Sequence, residues 1–97
     1  MSQAIELVIF QAREGVSEER LQAASMGINV VLQAMPGFVS REFGRDENEH
    51  YVDIVHWEDM DSAKQAAQKV MSIPTCLEYF DLIEQSQMSF WHFHRQM

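Results

Sequence analysis

Residues 4–12, AIELVIFQA, carry apolar side chains on both faces of any strand they form. With strand alternation, Ile5, Leu7 and Ile9 fall on one side and Ala4, Val8 and Phe10 on the other. Such a strand demands cover from both sides, since each large apolar side chain left in water forgoes about 1.5–3 kcal/mol. Residues 86–95, SQMSFWHFHR, read as a final strand with the same demand, Phe90 opposing Trp91 and Phe93. Glu6 interrupts the first strand, and a charge exposed near the strand start is its simplest reading. A chain of 97 residues fits one domain, 1–97, and has little material to provide the cover.

The residues between these strands divide cleanly. Ser17 offers an N-cap oxygen, with Glu18 and Glu19 placed to suit a helix dipole. Leu21, Ala24, Ile28, Val31 or Leu32, and Met35 follow at helical spacing. Pro36 disfavours helix in the residue before it, so Pro36-Gly37 forms the turn. Residues 38–44 (FVSREFG) predict a second strand, 45–49 a charged connection and 50–57 a third strand. Asp59 or Asp61 caps a second helix bearing Ala63, Ala66, Ala67, Val70 and Met71 on its apolar side, and Pro74 ends it. Thr75-Cys76-Leu77-Glu78 has capping-box spacing and predicts a short third helix through Ile83.

The element order is therefore β-α-β-β-α-β, the ferredoxin-like split βαβ arrangement of the α+β class. Its helices lie on one face of a four-stranded antiparallel sheet. Nothing remains in the chain for the other face. A second copy of the same sheet is the simplest cover, which predicts a homodimer closing into an α+β barrel.

Charge narrows the partners. A net charge of −8 opposes binding to nucleic acid or to anionic membrane surfaces, and the seven Lys and Arg residues form no basic stripe. Cys76, the single cysteine, has no disulfide partner within the chain. The amino terminus lacks a basic leader, and no apolar run approaches the ~20 residues of a membrane span, so a cytoplasmic setting is expected.

Within the third strand, Tyr51, Asp53, Val55 and Trp57 share one face, and Val52, Ile54 and His56 share the other. A carboxylate on a central strand costs free energy unless it is paired or hydrogen-bonded. Asp53 is thus either the structural partner of an arginine such as Arg41 or Arg95, or a base facing a ligand. Trp57 is either core or cavity wall. In the cavity reading, Asp53 and Trp57 are the catalytic pair, with Tyr51, Val55 and His92 at the ligand, while Val52 and Ile54 pack under the helices. The two key residues would lie ~13 Å apart along the strand, a span suited to a flat polycyclic compound. His92 and His94 form a His-x-His pair, but a metal needs a third ligand, and His56 sits beyond the first strand; no metal site is expected. No Gly-rich phosphate loop, nucleophile elbow or Cys-x-x-Cys occurs, so no nucleotide cofactor is implied.

Pro36-Gly37-Phe38 followed by Ser40-Arg41-Glu42, and a strand ending in Trp57-Glu58 before an acidic, alanine-rich helix, resemble the antibiotic-biosynthesis monooxygenase-like (ABM) family. That resemblance implies a dimeric α+β barrel. The haem-degrading branch places a His after the second helix, a Trp on it and an Asn on the first strand; none of the three is here, though Cys76 lies near the expected His. The quinone-forming branch places an Asn and a Trp four residues apart on the third strand. Here the spacing reads Asp53-x-x-x-Trp57. The resemblance implies a monooxygenase needing no cofactor, acting on an aromatic or enolisable small molecule. The alternative is a non-catalytic barrel that binds a hydrophobic small molecule.

Overall fold

The computed structural model describes residues 2–97; Met1, the first residue of the expected domain, lies outside them. Strand β1 (Ala4–Phe10) leads to helix α1 (Glu18–Gln33), then to β2 (Phe38–Arg45) and β3 (Tyr51–Trp57). Helices α2 (Met60–Lys69) and α3 (Pro74–Asp81) follow, and β4 (Ser89–His94) ends the fold. The four strands form one antiparallel sheet in the order β2-β3-β1-β4. This is the expected α+β, ferredoxin-like architecture.

Local chemistry sets the boundaries. Ser17 caps α1, its side chain accepting from the Arg20 amide at 3.1 Å. Leu21, Ser25, Ile28 and Leu32 then recur on the buried side. Gly37 closes the turn after α1 with φ +84°, and a Cβ there would lie 2.3 Å from Ser62 Oγ. Only glycine meets both conditions. Asp59 caps α2, accepting from the Ser62 amide at 2.8 Å.

Several boundaries differ from the sequence expectation. The first strand ends at Phe10, with only an isolated bridge from Ala12 to Ile83 beyond it. Helix α3 starts at Pro74, and its N-cap, Ile73, makes no side-chain cap. The Thr75–Glu78 capping box is not used, because proline is preorganised for the first helical position and holds the residue before it extended. Residues 86–88 do not enter the last strand. Gln85–Gln87 form a 3₁₀ turn, in which the Glu84 carboxylate accepts from the Ser86 hydroxyl at 2.9 Å.

The core lies between the sheet and the helices. Phe10 stacks on Tyr51 with centroids 5.4 Å apart, and Phe43 stacks on Tyr51 at 5.7 Å. The opposite sheet face is bare. Register places Ile5, Leu7 and Ile9 there beside Val52, Ile54 and His56 of β3 and Trp91 and Phe93 of β4. The expectation that Val52 and Ile54 pack under the helices is thereby corrected. Strand alternation sorts the residues rightly but the faces are exchanged: the residues sharing a face with buried Tyr51 and Val55 are those beneath the helices.

Candidate functional site

Between the sheet and the helices lies a cavity of about 440 Å³. Glu6, Val8, Trp57 and Phe90 line it from the sheet. Ala66 and Ala67 line it from α2, and Cys76 and Tyr79 from α3. The alanines are the local cause of the space, since a helix turning methyl groups toward a sheet cannot fill the gap that larger side chains would. Among the described residues, Glu6 is the one charged residue in the lining, and the remainder is almost wholly apolar. That volume and composition suit a small organic ligand.

Glu6 is not the exposed charge expected from its place in the strand. It stands on the same face as Ala4, Val8 and Phe10, directly opposite His92 of β4. Its Oε1 accepts from His92 Nε2 at 3.0 Å, and the two side chains are only 15% and 18% exposed. Burial raises the Glu6 pKa above the ordinary carboxylate value, and the hydrogen bond and charge of His92 oppose that rise. The signal for this placement is period-two alternation, which puts residue 6 in one row with Ala4, Val8 and Phe10.

Asp53 is beneath the helices and 8% exposed, but it does not line the cavity. Arg41 clamps it in a fork: Nε donates to Oδ1 at 2.9 Å and Nη2 to Oδ2 at 2.7 Å. Tyr79 Oη donates to Oδ2 at 2.9 Å. The remaining Arg41 hydrogens reach the Ser25 carbonyl at 2.6 Å, Asn29 Oδ1 at 2.8 Å and Ser25 Oγ at 2.9 Å. Every N–H of the guanidinium is thus engaged. Of the two partners considered for Asp53, Arg41 is the one present; Arg95 bonds Gln3 at the far end of the sheet. The Tyr79 pKa is raised by burial and by the adjacent Asp53 charge, so the phenol stays protonated and donates.

Trp57 does line the cavity, although only 1% exposed. Its ring meets Phe38 edge-on at 5.9 Å. Trp57 Nε1 is the one buried side-chain polar atom without a hydrogen-bond partner among the described residues. A buried donor left unpaired calls for an acceptor that the chain does not supply.

The other candidates separate. Tyr51 is buried in the aromatic stack and Val55 in the core, neither on the cavity wall. His92 reaches the cavity only through Glu6. His94 is exposed, and His56 pairs with Glu42 on the bare face at 3.2 Å. Among the described residues, no cluster of three or more metal-ligating side chains forms. Cys76 is buried in the cavity wall, and burial raises its pKa. No helix of the described residues is long and apolar enough to cross a membrane.

No protein-family model matches the chain, and no curated protein matches it in sequence. Solved structures do match. A mutant form of SnoaB, a cofactor-independent oxygenase from Streptomyces nogalater, gives a TM-score of 0.83 at 16% identity, covering 100% of this chain and 96% of that one. A protein of Chloroflexus aurantiacus ascribed to the antibiotic biosynthesis monooxygenases gives 0.68 at 16% identity, covering 99% and 95%. A dimeric ferredoxin-like protein of unknown function from Jannaschia gives 0.71 at 12% identity, covering 96% and 99%. These likenesses identify the architecture: the chain has the ferredoxin-like α+β fold of the antibiotic-biosynthesis monooxygenase-like proteins.

Proposed function

We propose that this chain is a cofactor-independent monooxygenase-like protein that takes an aromatic or enolisable small molecule into the cavity between its sheet and helices. The observation that carries this reading is the apolar 440 Å³ cavity with an indole in its wall and one carboxylate at its edge. The oxygenase named for the SnoaB structure supports it by likeness of fold. Trp57 provides a flat wall for the bound compound. Asp53 acts through Tyr79, a residue of the cavity wall whose hydroxyl donates to it, while Tyr51 and Val55 serve the site only as buried core of the strand that carries Asp53 and Trp57. His92 acts through Glu6.

In this reading the chain is one domain that works as a homodimer, with bare sheet faces packed together. Trp91 and Phe93 are each 45% exposed there and stack at 6.4 Å. A contiguous apolar face of this kind marks an interaction surface, and the dimeric ferredoxin-like neighbour has the same architecture.

A second reading is a binding protein without catalysis, favoured by the full engagement of Asp53. Anthrone, a tricyclic enolisable compound, separates the two. Oxygen uptake with anthrone, abolished in Ala66→Phe where the new ring fills the cavity, is the expected outcome. Anthrone binding without oxygen uptake would leave the binding protein.

A further inference from the structure

We infer that Glu6 and His92 form an acid–base pair at the cavity, in which the Glu6 carboxylate takes a proton from a carbon acid or acidic hydroxyl of the bound compound. This rests on the proposed cavity reading and names its ligand class: molecules with an ionisable proton beside an apolar ring system. It assigns the base to a residue of β1 rather than to Asp53, the acid of the third strand.

The geometry divides the two carboxylates. Both Asp53 oxygens are taken by Arg41, and one also by Tyr79. Glu6 has only Oε1 bonded, to His92. Among the described residues, Oε2 has no hydrogen-bond partner, and it is not sealed from solvent, since Trp57 Nε1 is the one buried unpaired atom. A candidate base must be within reach of the proton it removes. Glu6 lines the cavity and Asp53 does not. Phe90 meets the His92 ring edge-on at 5.0 Å, and it shares the cavity wall, so the imidazole is held beside the carboxylate.

The surroundings suit a base. Burial disfavours the charged carboxylate, which makes it a stronger proton acceptor than an exposed glutamate. The other titratable groups facing it are Asp53 and Arg41 across the sheet, already paired, and Tyr79 and Cys76 from α3. Burial raises the pKa of both the phenol and the thiol, so neither competes as a base near neutral pH.

The step is a proton transfer without redox change. The C–H bond beside a carbonyl breaks, its proton goes to Glu6 Oε2, and the electron pair remains on the ligand as an enolate. Return of a solvent-exchanged deuteron from Glu6 restores the ketone with deuterium incorporated.

2-Tetralone, a bicyclic enolisable ketone, tests this in deuterium oxide without involving oxygen. Wild-type protein should bind it in ligand-observed NMR titration and accelerate deuterium exchange at its benzylic α-carbon. Glu6→Gln should bind it equally well and lose exchange by about 100-fold, the scale of general base catalysis. The wild-type rate should rise with pH through one titration lying above the ordinary carboxylate value. In His92→Leu, which has no donor and no charge, that midpoint should move to higher pH, because the hydrogen bond and charge that oppose the rise are gone. A merely structural His92 would leave the midpoint where it was. Binding with equal exchange in wild type and Glu6→Gln would overturn the pair and leave the cavity reading intact. Absence of binding would overturn both. If Glu6→Gln fails to fold, a flat wild-type pH profile still overturns the assignment.

Discussion

Arg41 shows how one side chain organises the interior. Its guanidinium spends every hydrogen on Asp53, Ser25 and Asn29 while lying over the rings of Phe43 and Tyr79, at 5.5 and 5.8 Å. Removing one partner of a buried pair strands the other charge. Arg41→Ala should therefore cost about 3–5 kcal/mol in urea unfolding, and the double variant Arg41→Met with Asp53→Leu should recover most of it. A single-variant loss below about 1 kcal/mol would mean that water reaches Asp53 freely. Glu6 behaves in the opposite sense. Its raised folded pKa means that its contribution to stability is fully present below the ordinary carboxylate value and is lost as pH rises through the folded value. Glu6→Gln, permanently neutral, should raise the melting temperature relative to wild type at pH 7 more than at pH 4. A melting-temperature difference that grows toward acid would show that the His92 contact outweighs the cost of burying the charge. Alternation alone makes the proximity of residues 51, 53, 55 and 57 legible. The partner of each polar group is not legible, because it comes from a distant strand or helix.

At the scale of elements, the turns and caps carry more information than the periodic runs between them. Ser17 satisfies the Arg20 amide at the start of α1, and Ser17→Ala should cost about 1 kcal/mol, measured by thermal or urea denaturation. Gly37 is under two constraints at once, a left-handed backbone and the contact with Ser62. Gly37→Ala should cost about 2–4 kcal/mol, combining the left-handed penalty with overpacking. A loss under about 0.5 kcal/mol, the level of an ordinary surface substitution, would mean that α2 shifts to make room. Both residues are legible in the amino-acid sequence, one as a cap and the other as a turn. The start of α3 is not: Thr75–Glu78 has the right spacing for a capping box, but Pro74 competes for the first helical position and wins.

The whole molecule presents helices on one side of its sheet and an apolar face on the other. Trp91 and Phe93 would each gain about 2–3 kcal/mol from full burial, so this face favours association. Sedimentation at micromolar concentration should give roughly twice the mass of the chain, and Trp91→Glu should shift the protein to monomer by placing a charge in the interface. A wild-type protein that stays monomeric would end the barrel assignment, while the cavity, built within one chain, would remain open to test.

The sequence by itself determined the element order, the antiparallel α+β class and the need for cover on both sheet faces, because these follow from periodicity, caps and prolines acting over a few residues. Strand alternation also sorted β3 correctly into two sets. Only the tertiary structure decided which set faced the helices, since that depends on how the strands pair and where the crossovers pass. The same long-range packing locked Asp53 to Arg41 and Tyr79 while leaving one oxygen of Glu6 unbonded at the cavity. Glu6 and His92 stand 86 residues apart in the chain. No local pattern links them; the antiparallel register of β1 and β4 does.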